Sequence, residues 1–426
     1  MSIGWMVFSA ISSASLVAWA ALLFFRGLFW LPGPWLEPAR SVAPIRSEVA
    51  ESADHPDVHV IVPARNEADV LEETISGLRM QRYAGRITIT VVDDQSTDGT
   101  HELLEQLTVV SVTEHAVPSD DRTNRVAPLR IVDGQPLPSG WAGKVWAMHQ
   151  GWRDVGARRT ASGDDTSYVL FTDADIHLGP DLVEHLVRRA ITGNRDMVSV
   201  MAHLRLDSFW DRLLIPAFVY FFAKLYPFRW VALPSRQTSA AAGGCTLVRA
   251  AALDEIGGPE AIASALIDDC ALARAIFERR GGGRLWLGMS RTSSVRSTRR
   301  YGRLSHLWNM VSRSAFHQLK YSLLLLVGTV LGMLLIYGIP PASAIIALLS
   351  MSRGASPPIA GWLPGLIAWA IMTGSYLPIL RVYRVRPWMA LLLPAGAGMY
   401  TAMTITSAFR TWAGRGGAWK GRTYSG

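Results

Sequence analysis

The chain has 426 residues, 50% of them hydrophobic and 18% charged, with a mean hydropathy of +0.20. That is too apolar for an ordinary soluble enzyme and too polar for a pure transporter, so the chain divides between a soluble part and membrane segments. Its formal charge of +8 could suit nucleic acid, but the basic residues cluster beside apolar segments, which favours anionic lipid headgroups.

Residues 1–30 are almost uncharged before Arg26 and end in Leu28-Phe29-Trp30, long enough to span a bilayer. A cleaved signal peptide is the alternative. The absence of a basic leading region and the length of the apolar stretch favour an uncleaved anchor. Arg26, Arg40 and Arg46 place the following domain in the cytoplasm by charge bias. Residues 31–56, rich in Pro, Ser and Ala, read as a linker.

A soluble domain over 57–298 opens with a strand at 58–63, a turn at Ala64-Arg65-Asn66-Glu67 and a helix over 68–81. Further strands are predicted at 86–92, 129–132 and 168–171, with a loop at 140–147 opening a helix before the last of them. A helix over 180–192 and a strand at 197–201 follow. Strands alternating with helices predict an α/β fold with a doubly wound parallel sheet.

Two of these strands end abruptly in carboxylates: one in Asp93-Asp94, the other in Asp173-Ala174-Asp175. Ligands of open α/β sheets sit beyond the carboxyl ends of the strands, so the four aspartates are expected in one crevice. Carboxylates gathered there repel one another unless a cation sits among them. The short, oxygen-rich Asp-Ala-Asp suits Mg²⁺ or Mn²⁺ better than zinc, and such a cation commonly neutralises a diphosphate. Ordinary strand-end turns are the alternative, because Asp favours turns. There is no Gly-x-Gly-x-x-Gly and no Walker loop, so a nucleotide would be held by carboxylates and metal.

Residues 209–233 crowd aromatics with scattered basic residues, which suits a segment lying in the headgroup layer. A buried pair of core helices is the alternative. Ala241 to Thr246 is a small-residue stretch where backbone can approach a ligand. Cys245 and Cys270 give neither zinc spacing nor a disulfide framework and fit a reducing compartment. Asp268 and Asp269 open a helix that runs to Arg280. Its dipole favours the ionised form there, although a cap and a first-turn acid would look the same.

Residues 299–320 predict a basic amphipathic interfacial helix, with Leu304, Leu307, Trp308, Val311 and Ala315 on one face. Within 321–409, spans are expected at 321–338, 359–380 and 387–409. Pro340-Pro341 is expected to break the first and leave a short apolar piece at 342–352. Counting that piece as a crossing returns the basic tail, 410–426, to the cytoplasm, at the cost of leaving Arg381, Arg384 and Arg386 outside.

Taken in order, Pro63-Ala64-Arg65-Asn66-Glu67, Val92 to Thr100, Gly143-Lys144, Asp173-Ala174-Asp175 and Asp268-Asp269 resemble the motifs of family 2 glycosyltransferases with the GT-A fold. The resemblance covers roughly residues 58–320 and implies a mixed, mostly parallel sheet. One anchor before and several spans after are similar to the lipid-glycosylating branch that includes ceramide glucosyltransferases. The tail, Trp419-Lys420-Gly421-Arg422-Thr423-Tyr424, resembles the ending of that branch. The whole pattern is most similar to the hopanoid-biosynthesis-associated glycosyltransferases of bacteria.

The resemblance implies roles. Pro63, Arg65, Glu67, Asp93 and Asp94 would line the nucleotide base and ribose. Asp173 and Asp175 would hold Mg²⁺ or Mn²⁺ and, through it, the sugar diphosphate of a nucleotide-sugar donor, with a UDP-sugar expected. Asp269 falls where the family's Thr-Glu-Asp places its catalytic base, although Ile267-Asp268 departs from the first two letters. The family's Gln-x-x-Arg-Trp is reduced to Arg313 alone, which argues against a processive polymer synthase.

Lys144, Asp268, His306, Arg313 and Arg422 are further candidates for phosphate or acceptor contacts. For the basic residues among them, lipid headgroups are the alternative partner. One base and no second nucleophile favour a single inverting displacement. The acceptor implied is a membrane lipid hydroxyl, a hopanoid or other polyisoprenoid first and a ceramide or diacylglycerol second. The expected setting is the cytoplasmic face of a bacterial inner membrane, with no nucleic acid partner. A membrane scaffold built on an inactive transferase fold is the non-enzymatic alternative.

Overall fold

A computed structural model of the chain describes residues 3–37, 55–114, 126–162, 166–291, 294–354, 356–414, 418–419 and 422–423. Helix α1 (Ile3–Phe25) precedes an α/β domain. Strands β1 (Val58–Ala64) and β2 (Ile87–Asp93) are buried at every position. Their β-branched runs fit strands covered on both faces. Strands β3 (Leu129–Asp133), β4 (Tyr168–Thr172), β5 (Ile176–Leu178), β6 (Met197–Met201), β7 (Cys245–Arg249), β8 (Leu285–Met289) and β9 (Val295–Ser297) complete the set that builds the domain.

Seven strands form one sheet in the order β3-β2-β1-β4-β7-β6-β8. Its pairings are parallel except at β7, which runs antiparallel to both β4 and β6. The mixed, mostly parallel sheet is the one expected. Helices α2 (Leu71–Arg79), α3 (Thr100–Glu114) and α5 (Leu182–Thr192) share one apolar cluster with Val60, Val62 and Ile89. Helix α4 (Gly143–Ser162) packs Val145 and Met148 on the opposite face, against Ile61, Val169 and Phe171. The alternation along β1 therefore fixes the two layers.

Strands β5 and β9 form a separate antiparallel ribbon that pairs Ile176 with Ser297. Helices α6 (Phe209–Leu225), α7 (Phe228–Val231), α8 (Ala250–Glu255) and α9 (Asp268–Glu278) complete the domain. Only the first part of the expected linker is described. Leu36 N–H donates to Met289 O and Met289 N–H to Pro34 O, both at 2.9 Å, so residues 34–36 cover the free edge of β8. Glu37 accepts from Arg291 N–H at 2.6 Å and from the Ser294 hydroxyl at 3.0 Å.

Helix α6 is one element. It buries Leu213, Leu214, Ile215, Val219 and Tyr220 and leaves Phe209, Trp210 and Leu225 exposed. A Ser208–Asp211 capping box starts it. The single amphipathic helix expected over 299–320 is instead two short ones, α10 (Leu304–Ser312) and α11 (Ala315–Gln318), after an extended stretch. The chain turns between them so that Phe316 packs with Leu326 and Ala408.

Beyond lie α12 (Leu323–Met333), α13 (Ile339–Ser352), α14 (Ile359–Val382) and α15 (Leu393–Trp412). The break expected at Pro340-Pro341 does not occur. A π turn at Leu334–Gly338 joins α12 to α13, and 323–352 is one helical stretch of 30 residues. The wider turn lets the helix pass two residues that lack an N–H. By length and composition four helices could cross a membrane: Ile3–Phe25, Leu323–Ser352, Ile359–Val382 and Pro387–Trp412. One apolar cluster runs from Trp19 through Tyr337, Met372 and Tyr376 into α6 and on to Ile61 and Phe171 of the sheet.

Candidate active site

The loops after β1 and β2 are laced together. Asn66 N–H donates to Ser96 Oγ at 3.0 Å, Thr97 N–H to Asn66 Oδ1 at 2.8 Å and Glu67 N–H to Thr100 Oγ1 at 2.9 Å. Asn66 and Gln95 take positive φ, tight-turn geometry that Asn tolerates best. Arg65 donates to the Asp94 carbonyl, and Asp94 is fully buried. Asp93 accepts from Ser96 N–H at 3.1 Å and lies 3.1 Å from His101 Nδ1. These contacts hold Arg65, Asp93 and Asp94 in the loop framework. None of the three lines the cavity described next.

A cavity of about 770 Å³ opens beyond the strand ends, lined by Pro63, Glu67, Lys144, Asp173, Asp175 and Asp268 among others. Two cations hold its acids. Lys144 Nζ lies 2.7 Å from Asp173 Oδ1 and 2.9 Å from Asp268 Oδ2. Arg299 donates through Nε to Asp175 Oδ2 at 2.6 Å and through one terminal nitrogen to both Glu67 oxygens at 2.8 and 2.7 Å. The β5–β9 ribbon makes the second arrangement. Asp175 immediately precedes β5, residues 298–299 immediately follow β9, and Thr298 N–H donates to Asp175 O at 2.8 Å.

Burial, the neighbouring Asp175 and the neighbouring Asp268 push the Asp173 carboxyl up, to about 6, against the pull of Lys144. The paired carboxylates hold Lys144 and Arg299 above their ordinary ranges despite burial.

At the start of α9, Asp268 faces the cavity and Asp269 turns toward the strand behind it. Asp269 Oδ2 accepts from Gly243 N–H at 2.8 Å and Oδ1 from Cys270 N–H at 2.7 Å. Burial and Asp268 push the Asp269 carboxyl up to about 6. A Cβ added to Gly243 would stand 3.3 Å from Asp269 Oδ2 and 3.5 Å from Lys144 Nζ, so the small-residue stretch is where backbone meets the site.

The opposite wall comes from the interfacial region: Arg299, Arg300, Tyr301, His306, Asn309, Met310, Ser312, Arg313 and, from the end of α15, Arg410. Arg410 donates to Ser312 Oγ at 2.7 Å and Asn309 Oδ1 at 2.9 Å. Of the candidates named from sequence, Pro63, Glu67, Lys144, Asp173, Asp175, Asp268, His306 and Arg313 come together here. The Arg422 side chain lies outside the described residues, as do Lys420 and Tyr424 of the tail motif.

Arg299 and Arg410 were not singled out. Their roles come from strand pairing and helix packing, and the one local signal was an Arg-Arg-Tyr run just after β9. Among the described residues no group of three or more His, Cys, Asp or Glu is disposed to hold a metal alone. The Asp173 and Asp175 carboxylates still fit Mg²⁺ or Mn²⁺, which commonly take one or two carboxylates and complete their shell with substrate phosphates and water.

Residues 55–300 match the family model described as "Glycosyltransferase like family 2". The chain belongs to glycosyltransferase family 2. The sheet is its GT-A scaffold. No curated protein matches the transferase. Among solved structures it is similar to a mannosyltransferase from Pyrobaculum calidifontis in complex with GDP-Man and Mn²⁺, at 18% identity and a TM-score of 0.47, covering 95% of this chain and 99% of that one.

It is also similar to S. aureus TarS in complex with UDP-GlcNAc, at 14% identity and a TM-score of 0.34, covering 84% and 92% of the two chains. A third likeness is to glucosyl-3-phosphoglycerate synthase from Mycobacterium tuberculosis with Mn²⁺ and UDP-glucose, at 16% identity and a TM-score of 0.37, covering 68% and 86%.

Proposed function

We propose that this transferase moves a sugar from a nucleotide-sugar donor to a hydroxyl of a membrane lipid at the cytoplasmic face of a bacterial inner membrane, in one inverting displacement. The observation that carries the proposal is the position of the cavity. Its acidic wall is built from strand ends, and its other wall from short helices that lead directly into the apolar helical bundle. A soluble acceptor would gain nothing from that wall. A hopanoid or other polyisoprenoid alcohol is the first acceptor proposed, a ceramide or diacylglycerol the second. The family motifs and the order of apolar segments support that ranking.

Arg65, Asp93 and Asp94 brace the loops that receive the base and ribose, beside Pro63 and Glu67. Asp173 and Asp175 would hold a divalent cation, which as a Lewis acid offsets charge on the leaving diphosphate. Lys144, Arg299 and Arg313 supply positive charge around the same phosphates. The acceptor oxygen attacks the anomeric carbon as the carbon–oxygen bond to the diphosphate breaks, and the hydroxyl proton passes to a carboxylate. Asp269 is the base proposed. Two backbone N–H groups fix its orientation, and a carboxyl near 6 is matched to taking a proton near neutral pH.

Asp268 is the second candidate, because it lines the cavity whereas Asp269 stands behind it. Lipid mass spectrometry of cells carrying Asp269→Asn or Asp268→Asn separates the two. With Asp269 as base, Asp269→Asn still binds nucleotide but loses product by about 10²-fold or more, while Asp268→Asn retains measurable transfer. The reverse pattern would move the role to Asp268. Normal product from both would refute a base at this position.

A further inference from the structure

Helix α15, with the 3₁₀ turn Pro387–Leu392 that leads into it, is long and apolar enough to be a fourth membrane span. Its contacts say otherwise. A span must carry its two ends to opposite faces of a hydrocarbon layer about 30 Å thick. One end of this segment stays on the catalytic domain and the other on the short helices that wall its cavity. Just before it, Tyr383 stacks on His203, ring centroids 4.3 Å apart, and His203 bridges the β9 residue Arg296. In the middle, Tyr400 Oη donates to Leu214 O of α6 at 2.9 Å. At its end, Ser407 Oγ accepts from Phe316 N–H at 3.0 Å and Arg410 bonds Ser312 and Asn309 in the cavity wall.

The other apolar helices behave differently. The start of α14 meets the start of α1, where a Cβ on Gly361 would stand 3.1 Å from the Trp5 ring, and Ser12 pairs with Ser343 at 3.0 Å. Both contacts join helices of the bundle to one another, whereas the end of α14 reaches the catalytic domain through Tyr383 and His203.

We infer that α15 lies flat in the headgroup layer on the catalytic-domain side, and that the chain crosses the membrane three times, through α1, α12–α13 and α14. The occupant of its outer face is the lipid surface itself. One stripe of α15 is buried through Leu393, Ala397, Tyr400, Met403 and Ala408. Phe409 is exposed on α15 and Leu391 in the turn before it, and Trp388 and Trp412 are exposed near the two ends of the segment, the aromatic pattern of a helix at a membrane interface.

Charge agrees. Arg381, Arg384, Arg386 and Arg410 all fall on the domain side, leaving Arg353 as the one basic residue in the far turn, 351–358. The reading in which 342–352 crosses separately put three arginines on the wrong side, and three spans remove that conflict. Because Arg410 lines the cavity, α15 also forms a sill over which a lipid headgroup passes to reach the carboxylates. That last step rests on the proposed lipid acceptor; the topology does not.

The test is thiol labelling with a membrane-impermeant maleimide on sealed vesicles of either orientation, using the full chain and subtracting the signal of its native cysteines. The reporters are Met80→Cys on the catalytic domain, Ser356→Cys in the far turn, Arg386→Cys and Ala413→Cys. The expected result is that 80, 386 and 413 label from one side and 356 from the other. Labelling of 413 with 356 would overturn the inference by making α15 a span. Labelling of 386 with 356 would overturn it by showing that α14 does not cross. Release of the parent chain by carbonate would overturn the membrane placement itself, whereas loss of lipid product alone would touch only the proposed acceptor.

Discussion

Replacing Lys144 with methionine keeps most of the side-chain volume and removes the charge that Asp173 and Asp268 share. The two carboxylates are 32% and 17% exposed, and the ammonium that bridges them is 21% exposed. Removing one partner of a fully buried ion pair costs about 3–5 kcal/mol. Partial exposure to water reduces this, to about 2 kcal/mol. For a domain of this size that lowers the melting temperature by about 4–8 °C.

The deficit depends on pH with a definite sign. Asp173 already sits at about 6 with the lysine present, and losing the lysine raises it further. The unpaired charge is therefore present well above that value and relieved as protons bind below it. Melting curves of the detergent-solubilised protein at about pH 8 and about pH 5 should show the full loss at the higher pH and less than half of it at the lower. Added Mn²⁺ should raise the melting temperature of Lys144→Met more than that of the parent, because two unneutralised carboxylates attract it. An unchanged melting temperature at the higher pH, or a deficit that ignores pH, would refute the bridging role.

Arg299→Met frees Asp175 and Glu67 from their shared guanidinium. It is expected to lower the Mn²⁺ concentration at half-maximal donor binding by several-fold while weakening diphosphate affinity, both readable by calorimetry. Gly243→Ala places a methyl group within 3.4 Å of the Asp269 side chain. Turnover should fall by about tenfold, roughly 1.4 kcal/mol in transition-state stabilisation, with donor KM little changed. The pH profile of kcat/KM should fall on its acid side with an apparent pKa near 6, the value to which burial pushes Asp269. Because the acid must be ionised to accept a proton, activity is lost as pH drops through that value. A flat profile between about pH 5 and 7 would count against it.

The sheet was legible where strands are short, apolar and bounded by turns. The strand at 197–201 agrees residue for residue with β6, and β1 to β4 are displaced by one residue at most. Strand β7 is not legible, because Cys-Thr-Leu-Val-Arg follows Gly243-Gly244 with little alternation, and the small residues ahead of it signal backbone approach more than a strand. The acidic clusters were legible because a strand ending in aspartate is a local pattern. Where each side chain points is not local. Asp93 and Asp94 share the edge with Asp173 but are consumed by the loop they help to build. Arg299 reaches Asp175 only through the β5–β9 register, across more than a hundred residues of chain. The apolar segments of the membrane part were legible, apart from the break expected at Pro340-Pro341, but hydropathy registers apolar length and is blind to which end of a helix touches what.

The apolar cluster that runs unbroken from Trp19 into the sheet has a practical consequence. Trimming the protein to residues 55–300, the stretch its family model covers, would strip the cover from the outer side of α6. Leu213, Val219 and Tyr220 would then face water, and a patch of that kind invites aggregation. Anyone seeking a tractable soluble fragment should keep the helices or redesign that surface, because the catalytic half has no finished exterior of its own.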